Sequence, residues 1–411
     1  MEQVEDSYSC VGVGKERQTK TLLLILSTLP AFGPLATDMY LSAFPVLVEY
    51  FHTEISLVAQ SLSLYFLGLA GGQLLYGPLA DRFGRKPVLL VGIALFISTS
   101  FLIVFVPSIR GFIALRFFQA VGGCSGMLIA RAVVSDLYKE REAARFFSLM
   151  MIVAALAPIA APALGGYLVA FVGWKSVFVF LTAFGIFCFV MVKVWLPETL
   201  RHDAQRSLSF GETAKTYGRL LARRHFILPS LVCAVSFGEL FAFISGSPFV
   251  YMHLHGVSTE HYGLLFAANA VGMTVASKIN HSLLRYMSPI RLLWGGVAAN
   301  FIFCLVLFLF AEEASLPFLF SLFLLALFVV PAIGANATAV AMAACSDRKG
   351  SASGLLGVLQ FSLASLASTA VGHFHNETVY PVTGVILGCS FAALIMLFFD
   401  LVRPSGACRN L

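Results

Sequence analysis

Twelve apolar stretches, each about as long as a bilayer is thick, account for most of the chain. A hydrocarbon core about 30 Å deep is crossed by ~20 residues of α-helix. Such stretches fall at about 21–43, 56–77, 88–106, 112–137, 146–171 and 174–196. A second set falls at about 226–250, 261–284, 289–310, 316–342, 351–373 and 379–401. They do not alternate with the short period of barrel strands, so each is read as a helix that satisfies its own backbone hydrogen bonds. Composition agrees: only 12% of residues are charged and mean hydropathy is +0.87, against about 25% charged in a soluble domain. The 39 Phe suit lipid-facing and packed helices better than a cofactor box. The expected fold class is an all-α integral membrane protein of twelve spanning helices in two six-helix halves.

Charge sets the orientation. With the amino terminus inside, 21 of the 27 Lys and Arg fall in inner segments. Only Arg110 and Lys175 fall in outer turns, and four lie inside spans. The positive-inside rule then places both termini in the cytoplasm, in a multi-pass protein of the inner membrane. The net charge of +6 does not suggest nucleic acid, because the cations sit in short turns rather than on one face. The longest polar stretch divides the chain into 1–199, a linker at 200–225, and 226–411. In the linker, Ser209 to Glu212 reads as a capping box opening a short basic helix that tethers the halves at the inner leaflet. The polar start, Met1 to Lys20, carries no cleavable signal pattern. Eight scattered Cys without CxxC spacing read as small buried residues rather than metal ligands or disulfides.

The turn at 77–87 reads Gly-Pro-Leu-Ala-Asp-Arg-Phe-Gly-Arg-Lys-Pro. Gly and Pro end one helix, Gly84 permits a reversal and Pro87 starts the next helix. The ordered Gly77, Asp81, Arg82, Gly84 and Arg85 resemble the signature loop between the second and third helices of the major facilitator superfamily. That resemblance implies a latch holding the two halves together on the cytoplasmic side. Arg131 and Asp136, near the inner end of the fourth span, are close enough to join it. The equivalent loop of the second half, 280–291, keeps only Arg285 and Arg291, so the internal repeat expected of a secondary transporter is degenerate there.

Ionisable groups at membrane depth are costly, so each needs a reason. Asp38 lies ~5 residues from the outer end of the first span and Arg116 ~5 from the outer start of the fourth, both some ~7 Å below the surface. Opposite signs at one depth suggest a pair: either a fixed ion pair, or a proton switch in which a carboxylate changes partner with conformation. Arg116-Phe-Phe-Gln-Ala-Val-Gly-Gly resembles the fourth-helix pattern Arg-x-x-Gln-Gly-x-Gly of proton-coupled facilitators, with Ala120 in place of a Gly. Ala36-Thr-Asp-Met-Tyr-Leu41 resembles the first-helix stretch of the Bcr/CflA drug-efflux family. That stretch usually continues Pro-Ala-Leu-Pro and here continues Ser42-Ala-Phe-Pro45. Pro158, Pro162, Gly165 and Gly166 resemble the antiporter pattern Gly-Pro-x-x-Gly-Gly, with Ala161 in place of the first Gly, and mark a helix bend and a close packing site.

Glu239, near the middle of the seventh span, is read as an anchor for a cationic or hydrogen-bond-donating substrate. The other readings open to it are a second proton site and a neutral structural acid. Tyr40 and Gln119 complete the candidate substrate contacts. Gly68-x-x-x-Gly72 and Gly122-x-x-x-Gly126 are read as helix-packing contacts. His253-x-His255 and His373-x-His375, at outer helix ends, are read as interfacial rather than as a metal site. No phosphate-binding loop and no nucleophile–base set is legible, so neither ATP nor enzyme chemistry is expected. The resemblance implies a monomeric drug/proton antiporter, free of cofactors, that exports amphipathic small molecules on the proton gradient. The alternatives are a narrow metabolite exporter or symporter and a membrane substrate sensor.

Overall fold

The computed structural model describes residues 22, 24–137, 140–200, 210–345 and 349–401. Ser209, with the capping box it would close, and the polar start to Lys20 lie outside the described residues. Twelve long helices cross between two faces. In the first half they are α1 (Leu24–Phe51), α2 (Ile55–Phe83), α3 (Arg85–Ile103), α4 (Ile109–Leu137), α5 (Glu140–Val172) and α6 (Lys175–Trp195). A short helix, α7 (Phe210–Leu221), follows. The second half has α8 (Arg224–Leu254), α9 (Thr259–Leu283), α10 (Pro289–Phe310), α11 (Leu316–Ala343), α12 (Lys349–His373) and α13 (Tyr380–Leu401). Ten of these elements are both long and apolar enough to span a bilayer by composition alone. The other two, α5 and α9, are of matching length; α9 carries more polar residues, and α5 contains the apolar run Leu156–Val172. The face holding the start of α1 and the end of α13 is called here the terminal face, and the opposite one the distal face.

Glycine lets α4 sit at the centre of the first half. A Cβ on Gly68 would fall 2.4 Å from the Phe117 carbonyl oxygen, and one on Gly72 would fall 2.6 Å from Cys124 Cβ. On the other side of α4, a Cβ on Gly122 would meet the Phe96 amide at 2.6 Å and the Gly92 carbonyl at 2.7 Å. The two Gly-x-x-x-Gly patterns are thus contacts inside one bundle. Three helices depart from regular geometry. α1 is broken at Met39 and Tyr40, between a helical segment Phe32–Asp38 and a 3-10 turn Leu41–Ala43. α8 passes through Pro248 and widens into a π-helical turn, Phe249–Leu254. α11 is interrupted at Val329, ahead of Pro331.

The halves meet along two seams. α2 runs against α12, with Ser63 Oγ donating to Ser368 Oγ at 2.9 Å and Ser365 Oγ donating to the Ser63 carbonyl at 2.8 Å. Phe66 of α2 packs on Phe241 of α8, ring centroids 4.1 Å apart. α5 runs against α9, where Gly166 approaches the Thr259 carbonyl and Gly263 approaches the Pro162 carbonyl. These contacts lie toward the distal face and join the two halves there. The linker helix α7 was expected to tether both halves. It packs on the second half instead: buried Leu220 joins Phe226, Ala341, Cys345, Ala352 and Leu355, with Tyr217 against them. Leu220 is covered by protein, whereas Leu221, Lys215 and Arg219 are exposed.

Gly122→Leu is expected to lower the melting temperature by several degrees, because its side chain would meet backbone that cannot step aside. Gly77→Ala, where a Cβ would meet nothing within 4 Å, is expected to melt like the parent. Thermal unfolding of the two purified variants checks the contrast.

Candidate coupling and substrate site

Arg116 is fully buried in the first half. Its guanidinium carbon lies over two aromatic faces, 4.2 Å from the Tyr40 centroid and 4.3 Å from the Tyr65 centroid, with Phe178 at 5.9 Å. Nη1 donates to Gln119 Oε1, and Gln119 Nε2 in turn donates to Ser100 Oγ at 2.7 Å. Among the described residues, Nε and Nη2 have no hydrogen-bond partner of good geometry. A desolvated cation over tyrosine gains about 2 kcal/mol or more from the ring quadrupole. Two such faces are the main compensation this cation receives. Helical spacing of three residues puts Gln119 one turn along α4 beside Arg116, and Ser61 anchors Tyr40 through a 3.0 Å hydrogen bond.

The expected pairing of Asp38 with Arg116 does not form. Asp38 is 4% exposed, and its Oδ1 accepts a hydrogen bond from Thr37 Oγ1 at 2.7 Å. Among the described residues no ion pair joins it to a cation. The reason lies in the α1 break. Tyr40, two positions further on, takes the face toward α4, and its ring occupies the place a carboxylate would need. Asp38 instead acts electrostatically on Tyr65 of α2 and on Tyr262 of α9, the second from the opposite half.

The paired glycines of α5 reach this break. A Cβ on Gly165 would lie 2.0 Å from the Met39 carbonyl oxygen, so only glycine allows α5 to lie against the interrupted backbone of α1. Gly166, the next residue, faces Thr259 of α9. One dipeptide therefore touches both the broken helix beside Asp38 and the opposite half. Pro158 and Pro162 lie within the same continuous helix.

The loop residues build a network on the terminal face. Arg85 Nη1 meets Asp81 Oδ1 at 2.6 Å, and Arg85 Nε meets Asp136 Oδ2 at 3.1 Å. Glu198 holds the start of α3: its Oε1 accepts from the Arg85 amide at 2.9 Å and its Oε2 from the Lys86 amide at 3.2 Å. Gly84, at φ +98°, makes the reversal. Among the described residues, the partners of this network all belong to the first half. The latch between halves expected from the loop is, in this structure, a clasp of α2, α3, α4 and the segment after α6. Arg82 stacks on Phe83, its guanidinium carbon 5.1 Å from the ring centroid. Arg131 is exposed and makes no ion pair among the described residues. Gly77 lies within α2 beside open space.

Glu239 does not face the first half. Phe237 and Phe241 pack toward α12 and α2, and a position between them is turned by about 200° on a helix. Fully buried, Glu239 looks into the second half, where it interacts with Asn300 and Cys304 of α10 and with Cys389 of α13. Asn300 spends its amide on the Ala326 carbonyl at 2.9 Å, next to the break in α11. Among the described residues, neither Glu239 oxygen has a hydrogen-bond partner at full geometry, Asn300 being the nearest donor. The residue therefore lies in the interior of the second half, turned away from the α2–α12 seam. Sequence reasoning missed Tyr65, Tyr262 and Glu198. The two tyrosines carry no mark within apolar runs, whereas Glu198, in Pro197-Glu-Thr199 after the sixth span, was legible as a helix-end acid.

The chain belongs to the Major Facilitator Superfamily, whose family model matches residues 26–369. It is 33% identical over 395 residues to an uncharacterized MFS-type transporter, YdgK, of Bacillus subtilis, covering 95% of this chain and 97% of that one. It is 28% identical over 389 residues to a bicyclomycin resistance protein homolog of Haemophilus influenzae, covering 94% and 98%. Its fold matches the crystal structure of a D-xylose-proton symporter with a TM-score of 0.72 at 14% identity, covering 92% and 97% of the two chains.

Two outcomes follow from this geometry. Glu198→Ala should speed amide exchange at Arg85 and Lys86 while leaving the middle of α3 protected; hydrogen–deuterium exchange reads both. Glu239→Gln should alter transport of cationic and neutral substrates to the same extent. Parallel uptake assays check this, and selective loss of the cation would restore the anchor role.

Proposed function

We propose that the chain is a proton-driven exporter of amphipathic, drug-like small molecules that works by alternating access between its two halves. The observation carrying this reading is Asp38. It is a buried carboxylate, held among the described residues by its neighbour Thr37, at the break in α1 where α5 crosses and the opposite half approaches. A carboxylate there exchanges its surroundings whenever the halves move, and a change of surroundings changes its hold on a proton. Similarity to a bicyclomycin resistance protein homolog over most of both chains supports export of an antibiotic-like compound. Phe66 and Phe241, paired across the seam at 4.1 Å, would offer apolar ring faces to a flat substrate once the halves part.

Each cycle begins with the distal contacts closed, as in this structure. Substrate and proton compete for the first half, and opening of the α5–α9 and α2–α12 seams exposes the site to the far side. Arg116 keeps a fixed positive charge between Tyr40 and Tyr65, separate from the carboxylate. Tyr40 and Gln119 act chiefly by holding that cation. The protein needs no cofactor and performs no covalent chemistry, and it works as a monomer. The asymmetry of Lys and Arg supports termini on the cytoplasmic side of the inner membrane.

Asp38→Asn is expected to reduce pH-gradient-driven export in proteoliposomes by at least about tenfold, since the amide cannot cycle a proton, while the variant stays inserted and melts within a few degrees of the parent. Gradient-driven export at the parental rate would overturn the coupling role. A compound panel that includes bicyclomycin separates broad from narrow specificity.

A further inference from the structure

Three helices from the two halves converge on one strip of the α2–α12 seam. On α2, Phe66 and Gln73 lie two helical turns apart and share a face. On α8, Phe241, Phe237 and Cys233 succeed one another a turn at a time toward the terminal face. Phe66 meets Phe241 with ring centroids 4.1 Å apart, Phe237 meets Phe241 at 4.9 Å, and Phe361 of α12 meets Phe237 edge-on at 5.8 Å. The distal part of the strip is therefore aromatic.

Its terminal part is polar. The Gln73 carboxamide fills the space left by the missing side chain of Gly357 on α12: a Cβ there would lie 3.1 Å from Gln73 Cδ and 3.2 Å from Oε1. One turn along α12, Gln360 Nε2 donates to Cys233 Sγ at 3.2 Å. Cys233 Sγ lies in turn 3.5 Å from the Gly334 carbonyl oxygen and 3.4 Å from Thr338 Oγ1, both on α11. The sulfur engages the nitrogen end of the Gln360 amide and leaves Oε1 without a partner among the described residues. Gln73 makes no hydrogen bond among the described residues. Both glutamines are half-buried, so an amide from each half reaches accessible space at one level of the seam. None of the residues in the strip carries a charge, and Glu239 is turned away from it.

We propose that Gln73 and Gln360 form a hydrogen-bonding subsite, shared by the two halves, for a neutral substrate that carries a secondary amide beside an aromatic ring. The proposal rests on the export reading and names the substrate class that the seam fits. Gln360 Oε1 accepts the substrate N–H, and Gln73 Nε2 donates to the substrate carbonyl. A carboxamide offers a donor and an acceptor in one plane, which complements another amide. The phenylalanines one turn away receive the ring, giving the mostly apolar lining with a few placed polar groups that small-molecule sites share. Cys233 is a positioning residue: by holding the nitrogen of Gln360 it aims the acceptor at the ligand. A lipophilic cation would find rings in this strip but no counter-charge.

Chloramphenicol, a neutral nitrobenzene with one secondary amide, and its analogue methylated at the amide nitrogen probe the subsite by equilibrium binding to the purified protein in nanodiscs. The parent should bind chloramphenicol at least about fivefold more tightly than the analogue, the worth of one net hydrogen bond. Gln360→Leu should bring that ratio close to one, and Cys233→Ala should lower it in part. Gln73→Leu should weaken both compounds about fivefold and keep the ratio, because it removes the donor to the carbonyl. Melting within a few degrees of the parent shows that a variant is folded; Gln360→Asn and Gln73→Asn, which keep the amide but withdraw it, replace a leucine variant that is not. A ratio unchanged in the Gln360 variants, or equal binding of the two compounds by the parent, would overturn the subsite. Selective amide binding without proton-driven export would uphold the subsite and count against the export reading alone. Export of other compounds without amide selectivity would do the reverse.

Discussion

A bilayer interior offers no hydrogen bonds to a peptide group, and this constraint governs the chain. It forces twelve helices and makes every interruption in them conspicuous. The interruptions in α1, α8 and α11 are each covered by a neighbour. Gly165 lays bare backbone against the Met39 carbonyl, and Asn300 donates to the Ala326 carbonyl beside the break in α11. The π-helical turn after Pro248 keeps the polypeptide wound while shifting the aromatic and imidazole rings that follow it. Irregular backbone is thus confined to places where protein, not lipid, surrounds it.

Arg116 shows the same constraint applied to charge. An unpaired guanidinium in an apolar bundle would be costly, and the first half meets that cost with two tyrosine faces and a glutamine rather than a carboxylate. This separates two functions that a direct ion pair would merge. The cation is fixed and structurally committed, and Asp38 keeps, among the described residues, its hydrogen bond from Thr37. On the coupling reading, that separation lets the carboxylate answer to the movement of α5 and α9 instead of being held by a permanent partner.

The terminal-face network works on different physics. Surface ion pairs such as Asp81 with Arg85 each contribute about 0–1 kcal/mol. Glu198 adds something pairs alone do not: it accepts from backbone amides at the first turn of α3, where a helix leaves donors unsatisfied and favours negative charge. The clasp therefore rigidifies one half as a unit. Rigid halves with seams between them are what a rocking mechanism needs, because movement then concentrates at α2–α12 and α5–α9.

The sequence alone determined the number of spans, their grouping, the turn at 77–87, the burial depth of Asp38 and Arg116 and the close packing at the α5 glycines, because length, charge and cost at membrane depth are properties of local composition. It also marked the glycines of α4 as packing positions. It did not determine which way an intramembrane side chain points. Asp38 and Arg116 share a depth, yet the break in α1 turns Tyr40 toward the cation. Glu239 is central in depth, yet the phase of α8 turns it away from the seam. The tertiary structure decided those directions, and with them which charges meet, because helix rotation and backbone breaks are fixed by packing against neighbours distant in sequence. The meeting of His253 and His375 about Phe249, and of Gln73 with Gly357 across the seam, was decided in the same way, by elements more than a hundred residues apart.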